Sequence, residues 1–134
     1  MIKITRKMNR VTRFKDERRN SPNLTGGEAM EMRDTFIQAI HEKRKLKVTF
    51  FSKEDRAILT RTCAPMDYGP SRRAKRKNNR YHFWDYDSDT RRHTLSLNPE
   101  QVLKIEILNE HFDPAEFVTW EPNWFIPRDW GQYS

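Results

Sequence analysis

Nine residues from Arg72 to Arg80 hold six cations and no acid: Arg72, Arg73, Lys75, Arg76, Lys77 and Arg80. An aromatic run follows at once, Tyr81-His82-Phe83-Trp84-Asp85-Tyr86. Guanidinium and ammonium groups hold phosphates, and ring faces stack bases. This order of residue types therefore points to nucleic-acid or nucleotide chemistry. Six like charges so close together repel until an anion neutralises them. Such a loop supplies affinity and salt dependence, not sequence choice. The plainer reading of the same residues is a solvated loop. Arg61, set among Thr60, Thr62 and Cys63, needs either an acidic partner or a ligand anion. Asp85, Asp87 and Glu106 are the acidic candidates. Arg61, Tyr81, His82 and Arg92 form a candidate pocket, with the six cations of the loop as its backbone-holding rim.

Catalytic patterns are missing from the sequence. No Gly-x-Ser-x-Gly elbow and no glycine-rich phosphate loop occurs; the one pair of adjacent glycines is Gly26-Gly27. His41, His82, His93 and His111 lack metal-ligand spacing, although His82 and His93 are candidate cross-strand neighbours. Asp85, Asp87 and Asp89 lack the glycine and terminal glutamate of a calcium loop. They read as a solvated turn. Cys63, the single cysteine, excludes an internal disulfide, and on an alternating strand it reads as a small buried hydrophobe. The expectation is a protein that is not an enzyme and takes no metal or cofactor. A single cysteine, no signal-peptide pattern and no bilayer-length apolar run point to the cytoplasm and away from membranes.

The elements that would carry these residues follow from charge and periodicity. The chain has 134 residues and a net charge of +7. Residues 1–20 contain eight Lys/Arg and two Asp/Glu, so +6 of that charge is N-terminal. Residues 1–27 read as a basic, flexible arm. Thr25 and Glu28 resemble a capping box, after which Met32, Phe36, Ile37 and Ile40 recur at helical spacing. This predicts a helix over 28–45, its last turn favouring the cations Lys43, Arg44 and Lys45. From Leu46 the period becomes two. Strands are predicted over 46–51, 57–66, 80–86, 91–97 and 102–108, with Pro65 ending the second. Asp87-Ser88-Asp89-Thr90 is predicted as a tight hairpin turn. Leu103, Ile105 and Ile107 are predicted to point inward.

Residues 113–134 join Phe117, Trp120, Trp124, Phe125, Trp130 and Tyr133 to Pro114, Pro122 and Pro127. The prolines forbid a regular helix and the rings need burial. An irregular wrap over the core is predicted. A lid over a pocket, or a surface for a second copy or a protein partner through residues 112–134, is the alternative.

The order of these pieces resembles the WYL domain family over roughly residues 34–112. The residues that carry the resemblance are Ala39-Ile40-His41-Glu42-Lys43-Arg44, the strand 46–51, Arg61-Thr62-Cys63-Ala64-Pro65, Arg80-Tyr81-His82, Arg91-Arg92-His93-Thr94-Leu95-Ser96-Leu97, the strand 102–108 and Phe112. Of the name-giving triplet Tyr81 is kept, between Arg80 and His82. The resemblance implies a mainly β fold, an SH3-like (Sm-like) five-stranded barrel with an N-terminal helix, over residues 28–112. It also implies binding of single-stranded DNA or RNA, or of a nucleotide ligand, in a bacterial regulatory or sensing role.

Overall fold

The computed structural model describes residues 26–72, 75 and 77–134. The basic arm, Thr25 of the expected capping box, Arg73 and Arg76 lie outside the described residues. Among the described residues one helix, α1 (Gly26–Glu42), precedes five strands: β1 (Arg44–Ser52), β2 (Ala57–Pro70), β3 (Asn79–Asp85), β4 (Thr94–Leu97) and β5 (Val102–His111). All pairings are antiparallel, in the order β4-β3-β2-β1-β5. The fold is mainly β, as expected from the change of period at Leu46.

Four residues, including the 3-10 turn Pro99–Gln101, join β4 to β5 although these strands lie at opposite ends of the ladder. Laid flat, five strands would hold their outer members ~19 Å apart. A 3-10 turn rises only about 2 Å per residue. The sheet must therefore curl until its edges face one another. Among the described residues no ladder joins β4 to β5, so the expected barrel is realised as a curl without hydrogen-bonded closure. The turn Pro99–Gln101 stands in the gap.

The concave face is the core. Register places Leu46, Val48 and Phe50 of β1 beside Cys63, Arg61 and Leu59 of β2, and beside Ile107, Ile105 and Val102 of β5. A bulge between the Thr49 and Phe50 pairings makes Leu103 the extra residue. Val102, not Leu103, thus takes the inward position. From α1, Phe36, Ala39 and Ile40 are fully buried on this face. The Phe36 ring meets Tyr81 and Phe83 edge-on at 4.9 and 5.3 Å. Among the described residues no helix is long and apolar enough to cross a membrane.

Several boundaries differ from the sequence expectation, among them the end of β5, which runs to His111 instead of Leu108. The helix stops at Glu42 because Lys43 takes a left-handed conformation (φ 54). Arg44 and Lys45 therefore start β1 and bond Leu108 O and Glu110 rather than capping the helix. The second strand runs through Pro65 to Pro70. Its pairing with β1 ends at Cys63, so Pro65 does not interrupt a two-sided ladder, and the bulge before Asp67 absorbs the kink. The tight turn after β3 is instead a longer loop, and β4 begins only at Thr94. There the Ser88 and Thr90 hydroxyls bond Arg92 O in place of ladder partners.

The C-terminal segment wraps the convex face. Trp84 stacks on Phe117 at 5.5 Å, and Trp130 reaches the helix end through Nε1–H to Ile40 O at 2.8 Å. One buried ion pair fixes its path. Asp67, at the β2 bulge, accepts from Phe125 N (2.9 Å), Ile126 N (3.1 Å) and Arg128 Nη2 (3.3 Å). The Arg128 side chain is fully buried between Trp124 and Trp130, 4.2 and 4.4 Å from their ring centres. It also donates to Ile126 O and Met66 O. Asp67→Ala strands that cation and two amides, and the expected cost is about 3–5 kcal/mol of stability. Urea unfolding followed by tryptophan fluorescence measures it. A loss below ~1 kcal/mol, in the range of a solvent-exposed ion pair, would show that the tail is held by other contacts.

Candidate functional site

Strand alternation decides where the candidate side chains go. Tyr81 and His82 are consecutive on β3 and so face opposite sides of the sheet. Tyr81 is buried in the core, with Tyr68 at 4.8 Å and Phe36 on its other flank. Burial, then the neighbouring Tyr68 phenol, pushes its own phenol up. It presents no ring face to a base. His82 lies on the convex face, with Nε2 2.9 Å from Gly69 O and Nδ1 2.7 Å from Ser96 Oγ. A carbonyl can only accept, so Nε2 carries the proton. Both nitrogens are engaged in holding β2, β3 and β4 together.

Beside His82 the tail leaves a cleft of about 360 Å³, lined in part by Arg72, His82, Thr94, Ser96, Trp120 and Phe125. Phe125 sits directly on Gly69, where a Cβ would lie 2.4 Å from its Cδ2. Only glycine permits that approach. On the Phe125 ring lies the Arg72 guanidinium, 4.1 Å from its centre, which also donates to Asn123 O at 2.6 Å. The root of the basic loop is thus stacked on the tail. Lys77 closes the loop base by donating to Ser71 O and Arg72 O, while Lys75 is exposed. Arg80 is half-buried, and its Nε is buried with no hydrogen-bond partner. Two large rings remain open at or beside this cleft, Trp120 at 43% and Phe125 at 40% exposure.

Arg61 and Arg92 line a different cleft, also about 360 Å³, at the mouth of the curl, floored by Phe50 and Leu95. Arg61 shares the concave face with Val48. Its Nη1 donates to Asp87 O at 2.8 Å and lies 3.6 Å from Asp85 Oδ2. The acidic-partner reading of this arginine is the one the geometry gives, with Asp85 as partner and the Asp87 backbone beside it. Glu106 pairs with Lys104 instead. Asp87 Oδ2 accepts from Thr62 N, in the interior of β2, at 2.6 Å. His93 does not face His82, which pairs with Ser96; it stacks on Trp84 at 4.9 Å. Cys63 is fully buried, and burial, with Asp85 and Asp87 adding to it, pushes its thiol up. Among the described residues no group of three His, Cys, Asp or Glu side chains is placed to hold a metal.

The four-residue pocket expected from the sequence is therefore divided. Arg61 and Arg92 share one cleft, His82 lines another, and Tyr81 belongs to the core. Sequence reasoning missed Trp120 and Phe125 as the exposed rings of the tail, and Asp67, Gly69 and Arg128 as the residues that place them. The proline-aromatic composition of the tail marked a wrap. It carried no signal for which face the wrap would cover.

No family model matches the chain, and no curated protein matches it. Among solved structures the fold is similar to that of proteasome accessory factor B/C (PafBC) of Arthrobacter aurescens, with a TM-score of 0.53 and 14% identity. The likeness covers 79% of this chain and 16% of that protein. At this identity it is a likeness of fold.

Asp85 offers a pH test of the second cleft. Burial raises its carboxyl above the usual 3.8, against the opposing Asp87 amide and Arg61. The folded protein then holds this proton more tightly than the unfolded chain. The Asp85 contribution to stability falls as pH rises from the unfolded value through the folded one. Urea midpoints of wild type and Asp85→Asn, compared from about pH 3 to about pH 7, should show the wild type losing ground as pH rises. A pH-independent difference would mean that the carboxyl is not desolvated.

Proposed function

We propose that this chain is a non-enzymatic, WYL-like module that binds nucleic acid, prefers single strands, and acts as a cytoplasmic regulatory or sensing component. The carrying observation is the pairing of two open rings, Trp120 and Phe125, with a basic loop whose first cation is stacked on one of them. Single strands expose base faces that stack on such rings, while a duplex hides them. Loop cations meet phosphates and raise the encounter rate. Arg72 is pre-oriented by Phe125 and Asn123 O, so less side-chain freedom is lost when it forks onto a phosphate. In this reading Trp120 and Phe125 take the stacking role that the sequence alone suggests for Tyr81. Arg72, Arg73, Lys75, Arg76, Lys77 and Arg80 keep the backbone role. The residue order shared with the WYL family and the fold likeness support the same class. The remaining tail rings are packed against the chain itself, which leaves the rival reading of a protein-docking tail fewer rings to use.

The test is fluorescence anisotropy with labelled single-stranded and duplex oligonucleotides across a salt series. Replacing Lys75, Arg76 and Lys77 with Glu should weaken all sequences alike and reduce the salt slope by roughly one per cation removed. Trp120→Ala should cost about 1–3 kcal/mol of single-strand affinity while leaving the thermal melt unchanged. Binding indifferent to both changes would sink the proposal.

A further inference from the structure

The two clefts share a wall. Thr94, the first residue of β4 and exposed, lines both the convex-face cleft and the cleft at the mouth of the curl. β4 is a short edge strand, so a ligand leaving the first cleft beside Trp120 reaches the second by crossing that edge. The second cleft differs in chemistry. Its floor is apolar, from Phe50 and Leu95, and Arg61 is already engaged by Asp85 and Asp87 O. Asp55 is bonded to Ser52. Glu54, Asp89 and the Arg92 guanidinium remain, with no side-chain partner among the described residues. Carboxylates beside an apolar floor repel a phosphate. They accept hydrogen bonds from the exocyclic amino group of a base, while a fork donor beside them holds the adjoining backbone.

From this we infer that the cleft at the mouth of the curl is a nucleobase pocket for the strand that crosses β4, and that it selects bases carrying an exocyclic amino group. Glu54 and Asp89 are the reading residues, and Arg92 holds the phosphate beside the base. The inference rests on the nucleic-acid reading above. Cytosine, with its N4 amino donor, is accepted. Uracil, which has a carbonyl at that position, meets the carboxylates acceptor to acceptor.

Oligodeoxycytidylate and oligodeoxyuridylate of equal length, long enough to span both clefts, separate the two claims. The wild type should bind the cytidine strand roughly fivefold or more tightly than the uridine strand. The variant Glu54→Gln/Asp89→Asn should lose that preference, with uridine-strand affinity unchanged or higher. Both substitutions are at exposed positions, and circular dichroism checks the fold. Trp120→Ala should weaken both strands by the same factor. Equal wild-type affinity for the two strands, or a preference that survives in the double variant, overturns the base pocket and leaves the nucleic-acid reading standing. Binding of neither strand at low salt overturns both.

Discussion

The Asp67–Arg128 pair is the contact on which the arrangement of the convex face depends. It joins a bulge in the middle of β2 to a segment sixty residues later in the chain. Desolvating a guanidinium is expensive, and the burial of Arg128 outweighs the pull of Asp67, bringing its pKa down to about 10. The charged form persists at neutral pH because its donors are met by Asp67, Met66 O and Ile126 O, and its faces by two indoles. A pair of this kind adds little net stability compared with an apolar substitute, but it tolerates no shift in register. The tail can therefore leave the sheet in one way only. Phe125 lands on Gly69, Trp120 stays open, and a cleft remains beside His82.

The basic loop gains from this arrangement without being part of it. Arg72 is the hinge between them, tied to the tail by its stack on Phe125 and by Asn123 O, while Lys75 projects into solvent. Long-range attraction and local order are thus divided among neighbouring residues. In the proposed reading Lys75 and its neighbours draw a polyanion in, and the pinned Arg72 is ready to meet it. The curl of the sheet sets the second half of the geometry. The short link through Pro99–Gln101 brings the edges together, which places the concave-face mouth and the convex-face cleft on either side of one short strand.

Much of the fold was legible before the structure. Helical spacing of Met32, Phe36 and Ile40, and alternation of Leu46, Val48 and Phe50, are direct readouts of which side chains must leave water. Boundaries were less legible where local chemistry and tertiary pairing compete. Pro65 reads as a strand end, because a single sequence does not reveal that β2 has already parted from β1 at that point. Ser88 and Thr90 divert the β3–β4 loop by bonding backbone that a ladder would have used. The candidate pocket was the least legible part. Tyr81 and His82 have the residue types of one pocket, yet alternation sends them to opposite faces, and Arg61 falls on the concave side through its register with Val48.

Taken alone, the sequence determined the helix, the strands, the division of charge and the presence of an aromatic tail. These depend on residues close together in the chain, through the period of burial and the repulsion of like charges. The tertiary structure decided which rings stay open, which cations are pinned and how many clefts the candidate residues occupy. Those outcomes rest on contacts such as Asp67 with Arg128 and Gly69 with Phe125, between residues more than fifty positions apart. No local pattern encodes them, because each is fixed only when the curl of the sheet and the path of the tail are set together.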